Sequence, residues 1–447
     1  MKIFFYTLGC KVNQYETQLL REAFLKQGEE ITDSMQSADV CIVNSCTVTA
    51  ESDRKTRQAV RKARQNAPNA VIILTGCMPQ AFPEEADALE SADIVTGNGN
   101  SREIPELLRQ FLQSGKRIVK IVPHSREESF PQGKIHDFCE RTRAYLKIED
   151  GCERYCTYCI IPKARGAVRS KPLDEIRKEA EGLAADGFLE VVLVGINLSA
   201  FGTDSDTNLC DAVDAVAGVE GIRRVRLGSL EPDHIRDEVL LRLRQCPKFC
   251  PQFHLSLQSG CDRTLKRMNR HYDTAFYRDL VERIRKIFPD ASITTDIMVG
   301  FAGETPEEFS QSLAFEKEIG FAKVHIFAYS RRKGTVAYSL PDQISAAQKE
   351  ERSHRMTEAA LQSEREFLQD RLHTVQSVLF ESKESDGCYF GYTPNYIRVR
   401  VASEVPLTNQ ILPVYIESSD GTCLNGRIAA DSDAKGLSFA KKPSFES

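Results

Sequence analysis

The sequence contains no run of apolar residues long enough to cross a lipid bilayer, for which a helix needs about 20. Residues 1–8 are largely apolar, but Gly9 and Cys10 end this stretch, and it is too short for the apolar core of a secretion signal. These absences predict a cytoplasmic protein without a membrane partner. They give no indication of an oligomeric state.

Strong net charge is also missing. The 447 residues carry a formal net charge of −5, so the chain as a whole does not present the basic field that attracts nucleic acids. A nucleic-acid site would have to be a local group of basic side chains. The chain also lacks the patterns G-x-x-x-x-G-K-[ST], G-x-G-x-x-G and H-E-x-x-H, so nucleotide hydrolysis, dinucleotide binding and zinc-protease chemistry have no motif to support them.

Cysteine, in contrast, is abundant, with 14 residues. The cytoplasm keeps thiols reduced, so we do not expect disulfides. Some of these cysteines should be small buried side chains, and others should be metal ligands. Their spacing and their position relative to predicted strands must separate the two groups.

The pattern of apolar runs divides the chain into regions of different fold. In residues 1–115, short β-rich runs alternate with helical patterns, which is typical of a small α/β domain with an open parallel sheet. The predicted strands are residues 3–7, 40–43, 71–75 and 94–95. Residues 116–140 contain prolines, a glycine and mixed charges, and we interpret them as a linker.

Residues 141–373 and 374–440 form two further regions. In the first, six candidate strands separated by helical stretches predict a partial (β/α)6 barrel, closed by a long charged helix at 346–373. These strands are residues 144–148, 190–194, 223–227, 253–257, 293–298 and 323–329. The second region predicts a small all-β domain with strands at 375–380, 389–392, 396–401 and 414–416. Residues 441–447 are predicted to be a disordered tail.

Three cysteines, Cys152, Cys156 and Cys159, follow the first strand of the predicted barrel within eight residues. Thiolates are soft ligands that suit iron–sulfur clusters or zinc. Three of them can hold three irons of a cubane and leave the fourth iron open to a small chelating ligand. The alternative is a structural zinc site, but such a site needs a fourth Cys or His, and none stands nearby.

Polar or small residues also stand where the predicted barrel strands end: Gly195, Asn197, Glu231 and Gln258, with Asp296 inside the fifth strand. In β-α barrels, the chemistry takes place at the carboxyl ends of the strands. Taken singly, such residues could equally be helix N-caps. Grouped around one cysteine triplet, they favour a ligand site.

A second set of cysteines, Cys10, Cys46 and Cys77, lies far apart in the sequence, each just after a predicted strand of the first region. The ends of neighbouring parallel strands meet at one edge of a sheet, so these three thiols could meet in space. From the residues alone, packing is the more common role for a cysteine beside a strand.

Residues 150–162 read Asp-Gly-Cys-Glu-Arg-Tyr-Cys-Thr-Tyr-Cys-Ile-Ile-Pro, which resembles the cluster loop of radical S-adenosylmethionine enzymes, specifically the methylthiotransferases. In those enzymes the three cysteines hold a [4Fe-4S] cluster whose open iron chelates S-adenosylmethionine. An external electron donor then drives release of a 5′-deoxyadenosyl radical. The resemblance implies these ligand roles for Cys152, Cys156 and Cys159, and no catalytic acid or base among the side chains. It also implies cofactor contacts from Gly195, Asn197, Glu231, Gln258 and Asp296.

The opening stretch, residues 7–17, reads Thr-Leu-Gly-Cys-Lys-Val-Asn-Gln-Tyr-Glu-Thr and looks like the first signature of the methylthiotransferases. Residues 44–48 and 75–78 match the other two ligand positions. That family uses these cysteines for a second [4Fe-4S] cluster, which carries or donates the inserted sulfur. The resemblance therefore implies this role for Cys10, Cys46 and Cys77. It covers nearly the whole chain, including the C-terminal β region, which resembles the small RNA-binding domain called TRAM.

The residues after the first cysteine bear on the substrate. Gly-Cys-Lys-Val-Asn resembles the group that methylthiolates N6-threonylcarbamoyladenosine at position 37 of tRNA, in the anticodon stem-loop. The group acting on isopentenyladenosine has Gln-Met-Asn after the cysteine, and the group acting on a ribosomal-protein aspartate has Pro-Lys-Asn. We expect the first activity and keep the other two as alternatives. A non-enzymatic alternative is an iron–sulfur protein that binds RNA or senses redox state.

Two groups of basic residues are candidates for RNA contacts. Arg54, Arg57, Arg61 and Arg64 fall on one face of the predicted helix after Cys46, and could bind phosphates. A solvated helix face explains them equally well.

In the C-terminal region, Arg398 and Arg400 alternate on one strand face. The neighbouring aromatic residues could stack on bases or could form the core of the small β domain. They are Tyr389, Phe390, Tyr392 and Tyr396.

Overall fold

A computed structural model of the protein describes residues 1–131, 142–430 and 433. Its first part is a parallel sheet with the order β2-β1-β3-β4-β5-β6. The strands are β1 (Lys2–Thr7), β2 (Glu30–Ile31), β3 (Val40–Ser45), β4 (Val71–Gly76), β5 (Ile94–Thr96) and β6 (Ile118–Lys120). The helices of this part are α1 (Lys11–Leu25), α2 (Ala50–Asn66), α3 (Cys77–Ala81), α4 (Pro83–Asp87) and α5 (Ile104–Ser114).

The central strands β3 and β4 are buried on both faces, as helices on both sides of a parallel sheet require. Side chains of β3 alternate between two apolar cores: Val40 and Ile42 pack with residues of α1 and α5, whereas Cys41 and Val43 pack with residues of α2. Cys41 is therefore a packing residue. The carboxyl ends of β1, β3 and β4 lie side by side at one edge of this sheet.

The prediction of a linker at residues 116–140 is wrong near its start. Residues Ile118–Lys120 form β6, which pairs with β5 and extends the first sheet at its edge. The three-residue strand is too short for its apolar pattern to stand out from the polar residues around it. Part of the predicted linker, residues 132–141, lies outside the described residues, as does the predicted disordered tail at 441–447.

The second part contains two parallel sheets with the orders β7-β10-β11 and β12-β13-β14-β15. One residue, Gly228, separates β11 from β12, so a single stretch of chain joins both sheets. A short antiparallel pair, β8 and β9, lies beside them. The strands are β7 (Arg143–Lys147), β8 (Glu149–Asp150), β9 (Arg169–Ser170), β10 (Glu190–Val194), β11 (Arg224–Leu227), β12 (Ser229–Leu230), β13 (Gln252–Leu255), β14 (Ser292–Val299) and β15 (Lys323–Ala328).

Helices connect these strands and cover the apolar face of the sheets. They are α6 (Ile161–Arg165), α7 (Leu173–Ala185), α8 (Leu209–Ala217), α9 (Asp237–Gln245), α10 (Asp262–Arg267), α11 (Thr274–Ile287), α12 (Pro306–Ile319) and α13 (Ala346–Gln369). The long charged helix α13 is fixed to the loop after β14 by a buried ion pair between Arg352 and Glu304, 2.6 Å apart.

The third part is a closed barrel with the order β16-β17-β18-β20-β19. Its strands are β16 (Val375–Lys383), β17 (Cys388–Tyr392), β18 (Arg398–Ala402), β19 (Ile411–Ser419) and β20 (Leu424–Ile428). Strand β20 was not predicted, because its Leu-Asn-Gly-Arg-Ile sequence resembles a turn. This strand closes the barrel, because it pairs with both β18 and β19.

Arginines of the central sheet hold the C-terminal barrel. The rings of Tyr392 and Tyr396 stack on each other with their centroids 4.6 Å apart, and Arg143 of β7 lies beside both, 4.7 and 4.9 Å from the two centroids. Arg226 of β11 lies 4.8 Å from the Tyr396 centroid and donates a 2.7 Å hydrogen bond to a backbone carbonyl of the barrel. Buried Glu190 pairs with Arg226 at 2.7 Å. Across residues 1–131, 142–430 and 433, no helix has the length and apolarity needed to cross a membrane.

Candidate active site

The loop that follows β8 carries Cys152, Cys156 and Cys159. The backbone N–H of Cys152 donates to the carbonyl of Gly166 at 3.0 Å, and that of Cys159 donates to the carbonyl of Cys156 at 2.9 Å. A third bond, 3.0 Å long, joins the N–H of Thr157 to a carbonyl at the end of α10. These hydrogen bonds fix the loop at its first and last cysteines and between them. All three cysteines carry free thiols.

The three thiols of this loop affect one another electrostatically. Burial, together with the neighbouring Cys156 thiol, raises the pKa of both Cys152 and Cys159 to about 12. Without a bound cation, these two thiols would be protonated at neutral pH. A metal ion deprotonates a coordinating thiol outright, so the donor set suits an iron–sulfur cluster.

Buried Arg270 joins this loop to the end of β12. It donates to the Sγ of Cys156 at 3.2 Å and to the carbonyl of Ser256 at 3.0 Å, and it forms an ion pair with Glu231. A cation next to a thiol stabilises the thiolate form, and the carboxylate balances the buried arginine. The structure thus brings Glu231 next to the cysteine loop through Arg270, which the sequence analysis did not identify.

The predicted residues at the end of β10 are organised by Glu149, another residue that the sequence analysis missed. The carboxylate of this fully buried residue accepts a 2.7 Å hydrogen bond from the N–H of Asn197. Glycine is required at position 195, because a Cβ there would lie 2.5 Å from the Glu149 carboxylate. Among the described residues, the Oε1 of Glu149 and the Oδ1 of Asn197 are buried without a hydrogen-bond partner, as expected for groups that face a bound ligand.

Gln258 and Asp296 occupy different places. Gln258 has a φ of +68°, which is unusual for a residue with a side chain, and its N–H donates to the carbonyl of Asp296 at 2.8 Å. Strained backbone of this kind is concentrated at functional sites. The Asp296 carboxylate is 3.5 Å from the Nε2 of His254 and lines a separate cavity of about 640 Å³, together with His325.

The structure brings Cys10, Cys46 and Cys77 together at the edge of the first sheet. A Cβ on Gly9 would lie 3.2 Å from the Sγ of Cys46. Burial raises the pKa of Cys77 to about 12, and the thiols of Cys46 and Cys10 raise it as well. The convergence that parallel strand ends predict is therefore present.

Arg165, at the end of α6, connects the two cysteine groups. This fully buried side chain donates to the Sγ of Cys77 at 3.2 Å and forms an ion pair with Glu16. It also lies 3.4 Å from Asp150, which directly precedes the loop that carries Cys152, Cys156 and Cys159. Lys147 completes the network, 2.8 Å from Glu16 and 2.7 Å from Asp150.

Within residues 1–131, 142–430 and 433, no three Cys, His, Asp or Glu side chains are arranged to hold a single metal ion. A single ion needs all of its ligands within about 2.3 Å of one point. In a [4Fe-4S] cluster each thiolate binds its own iron, so three thiolates around it need not meet at one point.

The candidate RNA contacts on α2 divide into two kinds. Arg54 and Arg61 are exposed, and Arg57 is half-buried beside Glu85, 3.8 Å away. Arg64 instead turns toward the protein, where it pairs with Asp93 at 2.6 Å and donates to backbone carbonyls. The predicted row of arginines is therefore interrupted at Arg64, because that residue fixes the loop between α2 and β4.

In the C-terminal barrel, Arg398 and Arg400 point outward from β18, as their alternation predicts, and pair with Glu384 and Asp386. The four neighbouring aromatics differ in exposure, since Tyr392 is half-buried and Tyr396 is exposed. Tyr389 and Phe390 are buried, and Tyr392 and Tyr396 contact Arg143. This arrangement favours the structural interpretation of the aromatics.

Two family models match the chain: "Uncharacterized protein family UPF0004" at residues 2–97 and "Radical SAM superfamily" at residues 146–315. The threonylcarbamoyladenosine tRNA methylthiotransferase MtaB of Bacillus subtilis is 36% identical over 418 residues, which cover 92% of this chain and 93% of that protein. The tRNA-2-methylthio-N(6)-dimethylallyladenosine synthase of Clostridium perfringens is 33% identical over 434 residues, with 94% and 96% covered.

A solved structure shares the fold. The radical S-adenosylmethionine methyltransferase TsrM of Kitasatospora setae, with cobalamin and a [4Fe-4S] cluster bound, has a TM-score of 0.55. It is 14% identical, and the match covers 73% of this chain and 72% of that one. The fold, the paired cysteine groups and the full-length relatives agree: this chain belongs to the radical S-adenosylmethionine methylthiotransferase family.

Proposed function

We propose that the protein methylthiolates C2 of N6-threonylcarbamoyladenosine at position 37 of tRNA. The observation that carries this proposal is the pair of cysteine groups, each with one thiol bonded to a buried arginine. The substrate is supported by relatives with this named activity that are 35–37% identical. It is also supported by the Gly-Cys-Lys-Val-Asn signature that begins at Gly9.

The enzyme uses two [4Fe-4S] clusters and S-adenosylmethionine. Cys152, Cys156 and Cys159 hold one cluster, and Cys10, Cys46 and Cys77 hold the other. Gly195, Asn197, Glu231 and Gln258 contact S-adenosylmethionine, and Asp296 contributes from the adjoining cavity. The free acceptors of Glu149 and Asn197 support a bound ligand at the end of β10.

When bound, S-adenosylmethionine and the clusters supply a carbon-centred radical and the sulfur, which functionalise a strong C–H bond that acid–base chemistry does not activate. The side chains bind, orient and shield. Arg270 donates a hydrogen bond to the sulfur of Cys156, and Arg165 donates one to the sulfur of Cys77, so each orients one ligand. Cys46, Cys77 and Cys156 are buried, which limits access of water to these thiols.

RNA binding involves three basic side chains of α2, Arg54, Arg57 and Arg61, which lie on the helix that follows Cys46. The C-terminal barrel acts as a TRAM-like RNA-binding domain, with Arg398 and Arg400 on its outer face. The anticodon stem-loop is the part of tRNA that is bound, and an external donor supplies the electrons. A tRNA substrate implies that the enzyme works in the cytoplasm.

Methylthiolation of N6-dimethylallyladenosine is the second candidate. A relative that is 33% identical over 94% of this chain carries that activity in its name. Methylthiolation of a ribosomal-protein aspartate and non-catalytic RNA binding have less support, since the named relatives are tRNA-modifying enzymes.

Nucleoside mass spectrometry of tRNA from cells with and without the gene tests the substrate. We expect loss of 2-methylthio-N6-threonylcarbamoyladenosine and a rise of its parent nucleoside. Loss of the methylthiolated dimethylallyl nucleoside instead would establish the second candidate. An unchanged nucleoside profile would contradict both.

Substitution of the cysteines tests whether one group serves S-adenosylmethionine cleavage and the other serves sulfur insertion. Alanine at Cys152, Cys156 or Cys159 should abolish S-adenosylmethionine cleavage in a purified anaerobic assay. Alanine at positions 10, 46 or 77 should leave cleavage intact and stop sulfur insertion. Full product formation by the second set of variants would contradict the two-cluster assignment.

A further inference from the structure

The 640 Å³ cavity lies against the sheet β12-β13-β14-β15, on the face opposite the apolar core. Its wall is built from alternate residues of neighbouring strands: His254 of β13, Thr294 and Asp296 of β14, and His325 and Phe327 of β15. Ile293 and Ile297 of β14 and Ile326 of β15 point the other way, into the hydrophobic core. The volume is typical of a small-molecule site, and the wall combines charged and polar side chains with apolar ones.

All three parts of the protein contribute to this cavity. Lys11 of α1 lies at one side, Tyr392 and Tyr396 of the C-terminal barrel lie at another, and α13 contributes Glu364. Lys11 directly follows Cys10, so it brings a cation to the side of the cavity nearest the first cysteine group. The backbone of Asp296 contacts Gln258, which connects the cavity to the end of β13.

Several cations line the cavity: Lys11, Arg226, Lys323 and Arg398. Lys323 lies 3.4 Å from Glu364, and Arg226 is paired with buried Glu190. The Lys11 side chain is exposed, with its Nζ 5.9 Å from the centroid of the Tyr145 ring. Its charge reaches the cavity wall, because Lys11 contributes to the lowered pKa of His325, for which burial is the main cause.

We propose that this cavity receives the N6 substituent of the substrate adenosine and that Lys11 pairs with the carboxylate of its threonylcarbamoyl group. The inference rests on the proposed function and names the residue that determines substrate specificity. A threonylcarbamoyl group carries a carboxylate and a hydroxyl, whereas a dimethylallyl group is a hydrocarbon. The carboxylate and the hydroxyl can pair with the charged and polar groups of the wall, whereas a hydrocarbon beside those groups would displace their water without offering hydrogen bonds in return.

The test uses the full-length, cluster-loaded enzyme and three anticodon stem-loop RNAs. These carry N6-threonylcarbamoyladenosine, its neutral methyl ester, or N6-dimethylallyladenosine at the same position. The Kd of each RNA and its rate of methylthiolation are measured for wild type, Lys11→Met and Lys11→Arg. Lys178→Met, an exposed lysine on α7, is the matched control.

The wild type should bind the acid about tenfold or more tightly than the ester. Lys11→Met should remove this preference by weakening binding of the acid alone, whereas Lys11→Arg should keep most of it. Lys178→Met should match the wild type. Release of 5′-deoxyadenosine without RNA should be the same in all four proteins.

Equal loss of affinity for all three RNAs in Lys11→Met would overturn the inference, since it would indicate a phosphate contact. An unchanged ratio of acid to ester affinity in that variant would overturn it as well, while product formation by the wild type would leave the proposed function standing. Failure of the wild type to methylthiolate the acid RNA would instead contradict the proposed function itself.

Discussion

Arg165 and Arg270 play parallel parts in the two cysteine groups. Each is buried, donates to one thiol and pairs with at least one carboxylate. A buried arginine without a carboxylate would carry a large desolvation cost, and a thiolate without a nearby cation would too. The carboxylate–arginine–thiol arrangement satisfies both requirements, so we expect these arginines to stabilise the protein before any cluster is bound.

Arg270→Gln should lower the free energy of unfolding of the reduced, cluster-free protein by about 3–5 kcal/mol, because it leaves the Glu231 carboxylate without its cation. Denaturant titration followed by circular dichroism measures this change. Arg278→Gln is the control, since Arg278 forms an exposed pair with Glu318 on the surface of α11 and should cause no measurable loss. Equal behaviour of the two variants would contradict the prediction.

At the scale of single elements, α12 shows how local sequence fixes a helix start. Thr305 is its N-cap and accepts a 3.2 Å hydrogen bond from the N–H of Glu308, whose carboxylate in turn accepts from the N–H of Thr305 at 3.1 Å. This is a capping box. The same Glu308 pairs with Arg267 of α10 at 2.6 Å, so the cap also connects two helices.

Thr305→Ala should destabilise the protein by about 1 kcal/mol, because it removes the acceptor for the first turn of α12. Thr305→Ser keeps that acceptor and should stay close to the wild type. The shift of the urea midpoint, at an unchanged slope, is the measurement. A serine variant as unstable as the alanine variant would show that the threonine methyl group, and not the cap, matters.

At the scale of the whole molecule, Glu190 connects the central sheet with the C-terminal barrel. It is fully buried and pairs with Arg226, which contacts the barrel. Burial tends to raise the pKa of Glu190, but Arg226, with help from Arg143 and Arg224, outweighs burial and lowers it. Stability from this group is therefore present above the unfolded carboxyl pKa of about 4.3 and is lost as the pH falls through the lower folded value.

Glu190→Gln should cost about 3 kcal/mol or more at pH 7, because Arg226 loses its buried partner. Below about pH 4 the wild type should lose the same contribution, so that the two stabilities converge. Denaturant titrations of the reduced, cluster-free protein from pH 7 to pH 3 measure this convergence. Glu238→Gln, at an exposed position on α9, is the control. A constant difference between Glu190→Gln and the wild type at all pH values would contradict the prediction.

The strands of the central region were predictable because their apolar residues are either continuous, as in residues 191–194 of β10, or alternate with polar ones, as in β11 and β15. Short elements were not predictable: β6 and β20 contain too few apolar residues for a pattern, and only their pairing with neighbours makes them strands. The role of Arg64 was also out of reach, since Asp93, its partner, is 29 residues away.

The sequence by itself determined the spacing of Cys152, Cys156 and Cys159, because ligands on one loop are set by their order in the chain. It also placed Cys10, Cys46 and Cys77 after strands, from which their convergence follows once the sheet is parallel. Only the tertiary structure decided which cations stand beside the thiols. Arg165 and Cys77 are 88 residues apart, and Arg270 and Cys156 are 114 apart. Contacts over such distances depend on how packed strands and helices bring side chains together, and no local pattern encodes them.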